Sequence, residues 1–143
     1  MNTVQRSALV MHSDQSMYDL VNDVASYPQF MDGCQSVEII EHTEQLMVAS
    51  LCLKKAGIEV NLTTENQLVP GLSIEMSLQD GPFSSFKGLW QFKALSDSAS
   101  KLSLDLEFEF KRRGLGSVAA GMFSGVANNL VDALCRRADE VYK

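Results

Sequence analysis

The chain has 143 residues, 45% of them hydrophobic and 21% charged, with a formal net charge of −6; this is a one-domain length with apolar mass for a substantial core and none of the polar bias of a disordered chain. The acidic balance opposes nucleic acid or an anionic membrane as a partner of the whole surface and leaves such contacts to local basic patches. Cys34, Cys52, Cys135, His12 and His42 fall in no metal-ligand spacing, and no secretory apolar region opens the chain, so reduced thiols in a cytoplasmic protein are expected, without metal and without a required cofactor.

Thr3 to Met11 reads as a first strand. Ser13-Asp14 then offers a helix N-cap, and Met17, Leu20, Val21 and Val24 follow at helical spacing. Ser26-Tyr27-Pro28 breaks that helix, because the residue before a proline is pushed out of the α region, and Pro28 opens a second short turn through Phe30 and Met31 that ends near Gly33.

From Val37 the period changes to two. Leu46 to Leu53 is a strand apolar on both faces, Lys54-Lys55-Ala56-Gly57 is a turn, and Ile58, Val60 and Leu62 alternate with Glu59, Asn61 and Thr63. Pro70-Gly71 and Asp80-Gly81-Pro82 are further turns on either side of a strand carrying Ile74, Met76 and Leu78. Phe86, Gly88, Trp90 and Phe92 share one face of the next strand. After the polar loop Ser96 to Ser100, Leu102, Leu104, Leu106, Phe108 and Phe110 alternate with Ser103, Asp105, Glu107 and Glu109. Short turns between these strands imply an antiparallel meander with one apolar and one wet face.

Gly114 to Tyr142 is predicted as one long helix, its apolar residues Leu115, Ala119, Met122, Val126, Leu130, Leu134, Ala138 and Val141 recurring three or four positions apart. At about 1.5 Å per residue it is roughly 40 Å long, enough to cross a small domain. Arg136 and Arg137 near its end would complement the helix dipole. No continuous apolar run approaches the ~20 residues that span a bilayer. The fold class is α+β, in a single domain over 1–143: a strand, two short helices, six strands and the long helix.

Met76, Phe86, Trp90, Phe92, Leu104, Leu106 and Phe108 on the strands and Met122, Phe123, Val126 and Leu130 on the helix form the inward face. A solid core is the bland reading of so many apolar side chains. Two features point instead to a cavity: the meander is long for one helix to cover, and Ser117, Gly121 and Gly125 make a strip too small to fill the space beneath the helix. Ligand cavities are lined in this way, mostly apolar with a few polar groups. Tyr27, Pro28, Phe30 and Met31 would form its entrance.

Catalytic patterns are weak. Gly114-Leu-Gly116-Ser-Val-Ala119 has the form of a dinucleotide fingerprint, but too little chain follows to complete a βαβ unit. Ser124 lacks the GxSxG setting, neither histidine lies in a triad context, and Asp105, Glu107 and Glu109 occupy the wet face of their strand. A non-enzymatic protein is expected. Lys54-Lys55, Lys111-Arg112-Arg113 and Arg136-Arg137 sit at turns and element ends, where solubility and dipole compensation explain them. The alternative is contact with RNA or phospholipid headgroups through Lys54, Lys55, Lys111, Arg112 and Arg113.

Specific segments add a resemblance. The order of elements resembles the START-like helix-grip fold of the Bet v 1 superfamily, in which a curved antiparallel sheet of about seven strands, two short helices and a long C-terminal helix enclose an apolar cavity. Tyr18-Asp-Leu-Val-Asn-Asp-Val-Ala-Ser-Tyr-Pro-Gln-Phe30, Asp80-Gly-Pro-Phe83, Gly88-Leu-Trp-Gln-Phe92, Leu104-Asp-Leu-Glu-Phe-Glu-Phe110 and Arg137-Ala-Asp-Glu-Val-Tyr142 are similar to segments of the coenzyme Q-binding START family, formerly labelled polyketide cyclase/dehydrase or oligoketide cyclase. Met31-Asp32-Gly33-Cys34 departs from that family's Leu-Pro-aromatic-Cys pattern. The resemblance implies a carrier that binds ubiquinone or a similar isoprenoid lipid in an apolar tunnel and supports respiration. For bacterial members it implies a second role, a ribosome-association toxin that binds the large ribosomal subunit and blocks translation initiation. A polyketide cyclase in the same cavity is a third reading. The implied partners are a quinone or lipid, the large ribosomal subunit, and the inner membrane by transient peripheral contact, with no DNA.

Overall fold

The computed structural model describes residues 2–111 and 116–142. Seven strands form one antiparallel sheet in the order β1-β7-β6-β5-β4-β3-β2. They are β1 (Asn2–Val10), β2 (Cys34–His42), β3 (Leu46–Lys55), β4 (Ile58–Val69), β5 (Ser73–Asp80), β6 (Phe83–Ser96) and β7 (Ala99–Phe110). β2 to β7 are a continuous meander, and β1 joins it at the far edge by pairing with β7, Val4 standing opposite Leu106. The alternation of β7 is realised in full, with Leu102, Leu104, Leu106, Phe108 and Phe110 buried and Asp105, Glu107 and Glu109 exposed.

Local chemistry sets the turns. The β3–β4 hairpin closes through Ala56 and Gly57, whose φ of 54° and 80° are both positive, as a two-residue turn following the strand twist requires. Lys54 and Lys55 therefore belong to β3 rather than to the turn.

α1 (Asp14–Asn22) is capped by Ser13, whose hydroxyl accepts from the Ser16 N–H at 3.1 Å. It buries Met17, Tyr18, Leu20 and Val21. A 3-10 helix over Val24–Gln29 follows, and it contains Pro28. The break expected at Pro28 thus falls earlier, at Asp23, because the proline's fixed φ is compatible with a tighter helix.

The long helix α2 spans Gly116–Val141 and lies against β1, β7, β4 and α1; Gly114 and Leu115, part of its predicted span, are outside the described residues. Side chains fasten it along its length. Arg6 donates to the Asn128 carbonyl at 2.9 Å and to Asp132 Oδ1 at 2.6 Å, His12 Nε2 lies 2.8 Å from Asp139 Oδ1, and the Tyr142 hydroxyl donates to the Ser16 carbonyl at 2.9 Å. Two expectations about α2 are corrected. Its last turn holds no basic residue; Arg137 instead lies 5.3 Å over the Phe30 ring and donates to Gln29 Oε1. By length and composition Ser117–Val141 is also apolar enough to cross a membrane, since spaced apolar residues reach that level without a continuous run; in this fold its apolar face is buried against the sheet.

An apolar cavity between helix and sheet

Between α2, α1, the 3-10 helix and the concave face of the sheet lies a cavity of about 100 Å³. Its wall takes Ala49, Leu51 and Leu53 from β3, Leu62, Thr64 and Asn66 from β4, Ile74 and Met76 from β5, Phe86 and Trp90 from β6, and Leu104 and Leu106 from β7. Phe123, Val126, Ala127 and Leu130 of α2 roof it, and Val21, Asn22, Val24, Tyr27 and Met31 close the side nearest the short helices. Of the strand residues in this wall, Leu51, Met76 and Phe86 are partly exposed.

The structure brings Tyr27, Met31, Met76, Phe86, Trp90, Leu104, Leu106, Phe123, Val126 and Leu130 together in this wall. It does not place Pro28, Phe30, Phe92, Phe108 or Met122 there. Phe92 packs edge-on against Tyr18 on the α1 side, with ring centroids 5.5 Å apart. Phe108 is wholly buried in an aromatic cluster with Phe83, Phe110 and Phe123, its ring centroid 4.8 Å from that of Phe123. Phe83, Phe108 and Phe110 are buried core outside the cavity wall, and they meet it through the rings of Phe86 and Phe123, which do line it. Pro28 is exposed, Phe30 lies under Arg137, and Met122 is partly exposed at the edge of the helix. Tyr27 is a wall residue with its polar end occupied, since its hydroxyl donates to the Val21 carbonyl; burial pushes its pKa well above the usual range of a phenol, which keeps the hydroxyl protonated.

The small-residue strip is corrected as well. Ser117 and Gly121 are exposed, Gly125 is partly exposed, and a Cβ added at either glycine would meet nothing within 4 Å. At about 100° per residue, these positions fall on the far side of the helix from Phe123, Val126, Ala127 and Leu130. Space is left instead by Ala127 on the helix, Ala49 on β3, and Gly88 on β6.

Three polar side chains in the wall, Asn22, Thr64 and Asn66, were missed at the sequence level. The signal was present for two of them. The inward phase of β4 set by Val60 and Leu62 runs on to Thr64, Asn66 and Leu68, all buried. Ending the alternation at Thr63 hid that two of these inward positions are polar.

The basic residues are not gathered into one site. Lys55 pairs with Asp32 at 2.7 Å, and that bond holds the exposed Asp32 carboxyl below its ordinary range. Lys54 and Lys111 are exposed; Arg112 and Arg113 lie outside the described residues. Among the described residues no three His, Cys, Asp or Glu side chains gather as a metal site, and Cys34, Cys52 and Cys135 are unpaired.

A curved antiparallel sheet gripping a C-terminal helix around an apolar cavity defines a START-like helix-grip protein. Among solved structures the Zhui aromatase/cyclase from Streptomyces sp. R1128 is similar to the chain with a TM-score of 0.84, covering 99% of this chain and 96% of that one at 20% identity, which shows the fold. The family model described as "Polyketide cyclase / dehydrase and lipid transport" matches residues 10–135, and the chain belongs to that family. Within it, a protein named ribosome association toxin RatA from Vibrio cholerae serotype O1 is 47% identical over 142 residues, covering 99% of each chain. A more distant relative is the mitochondrial coenzyme Q-binding protein COQ10 of Drosophila melanogaster, 25% identical over 96% of this chain and 55% of its own length.

Proposed function

We propose that this protein associates with the ribosome and restrains translation, acting by binding rather than by catalysis. The observation that carries this reading is the end-to-end similarity to the Vibrio cholerae ribosome association toxin, 47% identical with 99% of both chains aligned. A cytoplasmic location and the large subunit as the docking partner follow from the same reading. The net charge of −6 confines RNA contact to local cations, with Lys54 and Lys111 the exposed described candidates and Arg112 and Arg113 adjoining Lys111. Purified protein should co-sediment with ribosomal subunits at low salt and be released as salt rises. Absence from every ribosomal fraction overturns the reading. Charge reversal at Lys54, Lys55, Arg112 and Arg113 should abolish co-sedimentation, and unchanged co-sedimentation removes those four side chains as the contact.

A second reading is favoured by the cavity: binding of an apolar molecule, ubiquinone or a similar isoprenoid lipid, delivered by transient membrane contact. Removing a few hundred Å² of tail from water at about 25 cal/mol per Å² contributes several kcal/mol before ordering losses. The cavity's volume of about 100 Å³ is below the ~300 Å³ at which drug-sized ligands are held. It takes part of such a molecule as it stands, and more only as the flexible Met31 and Met76 side chains swing aside. Organic extraction of protein from a quinone-producing host, followed by mass spectrometry, should recover a lipid at near-stoichiometric yield. No lipid after extraction, and no uptake of supplied quinone, would falsify this second reading.

A further inference from the structure

Two oxygens at the cavity have no partner. Asn66 Oδ1 and Asn22 Oδ1 are buried and accept no hydrogen bond, although both side chains line the cavity. Asn66 is 5% exposed, and the reason for its isolation is the register: it stands between Met47 on β3 and Met76 on β5, neither of which carries an N–H or O–H on its side chain. The buried Thr64 is the next inward residue on the same strand. Asn22 reaches the same space from the last position of α1. The other polar side chain in the wall, Tyr27, is already committed to the Val21 carbonyl. Buried carbonyls in native proteins are almost always paired, and an unpaired one is a standing cost that any donor entering the cavity relieves. The terminal torsion of an asparagine is soft, so a small rotation turns either oxygen toward the space.

We propose that Asn66 and Asn22 form the polar pole of the cavity and that the pole selects an otherwise apolar ligand bearing a hydroxyl: a phenol, a hydroquinone or a prenyl alcohol. This rests on the second reading above, that the cavity is a ligand site. An acceptor-only ligand, such as an oxidised quinone, can accept only from the amide NH2 groups and leaves both Oδ1 atoms unpaired, whereas a hydroxyl supplies the donor that they lack. A hydroxyl donates to Asn66 while its apolar body lies against Trp90, Leu104 and Val126.

The test uses two probes of the same outline, p-cresol and p-xylene, which differ by one hydroxyl. Their affinities for the wild-type protein are measured by calorimetry or ligand-observed NMR and compared with their water-to-hexadecane partition. In a cavity without a polar pole, p-xylene is favoured by its full partition advantage; with the pole, p-cresol recovers about five- to tenfold of it. Asn66→Leu, and separately Asn22→Leu, should abolish that recovery, so that the p-cresol to p-xylene affinity ratio of each variant returns to the partition ratio. If both probes bind with their full partition ratio, the pole is overturned and the cavity reading stands; a water that permanently serves the amides gives this same result. Should neither probe bind, the cavity reading fails and the pole fails with it. The wild-type ratio decides the matter even where a substituted chain does not fold.

Discussion

Gly88 on β6 stands directly opposite Met76 on β5, so close that a Cβ at position 88 would lie 2.5 Å from Met76 Cε and 3.2 Å from Leu106 Cδ1. Both Met76 and Leu106 are wall residues, so the missing side chain at position 88 determines where the Met76 thioether rests and how much of the space beneath α2 stays open.

Gly88→Ala should therefore shrink the cavity without unfolding the protein. The atom in the way is the end of a flexible methionine, which moves at little cost, and the strand gains a residue with less backbone entropy to lose. We expect a change of under about 1 kcal/mol in urea unfolding together with a clear loss of p-xylene or lipid uptake. Gly88→Ala protein that takes up the same ligand with undiminished affinity would show that Met76 does not set the cavity's size.

Phe108→Ala should separate packing from ligand contact. The ring is wholly buried among Phe83, Phe110 and Phe123 and is not part of the cavity wall. Truncation should cost about 3–5 kcal/mol, the range for a buried phenylalanine. Phe86→Ala removes a partly exposed wall residue and should cost clearly less in stability while weakening ligand uptake more. The two orders of effect, compared by denaturant midpoint and by probe affinity, test the division between aromatic plug and cavity.

That division explains what the sequence discloses and what it hides. β7 is legible residue by residue, because one face meets water and the other the core, and a period of two fixes both at once. Phe92, Trp90 and Phe108 all belong to the inward phase and all are buried, yet only Trp90 borders the cavity; periodicity assigns a face but not a depth along it. Placement of the short helices decides depth, and Phe92 is covered because Tyr18 of α1 lies on it. For the helix, Gly121 and Gly125 suggested a hollow that the register places on the solvent side. Asn66 shows the converse: its inward phase was available from Val60 and Leu62, and a polar residue continuing an apolar phase was the strongest sequence-level clue to the cavity's chemistry.

Cys34 should behave as a protected thiol. Burial, with a smaller contribution from Cys52, pushes it up to about 11 from an ordinary value of 9.0. At pH 9 the thiolate fraction is then roughly fiftyfold lower than in the unfolded chain, and iodoacetamide should label Cys34 correspondingly more slowly in native protein than in urea, as read by peptide mass spectrometry. The linked stability has a definite sign. The folded value is raised, so the contribution is fully present below the unfolded value near 9 and is lost as pH rises toward 11. Cys34→Ala should flatten that part of the alkaline stability profile, and an unchanged slope would remove Cys34 as its source.

The strap from β1 to α2 gives the opposite sign at acid pH. Arg6 Nη2 lies 2.6 Å from Asp132 Oδ1, and this hydrogen bond holds the Asp132 carboxyl below its ordinary 3.8. A depressed carboxyl contributes stability above its unfolded value, and the contribution is lost as pH falls through the folded one. Both side chains reach solvent, with 30% and 52% of their surface exposed, so salt screens the pair and its share of global stability is small. Arg6 also donates to the Asn128 carbonyl at 2.9 Å, a bond that does not depend on the carboxyl's charge. Asp132→Asn should therefore remove the pH-dependent part and keep the helix docked, whereas Arg6→Ala loses both anchors. In NMR titration the Asp132 midpoint of Arg6→Ala protein should move up toward 3.8, with amide exchange faster around Asn128 and Asp132 than in Asp132→Asn. Equal exchange in the two variants would mean that the ion pair, and not the carbonyl bond, holds this stretch of α2 to the edge strand.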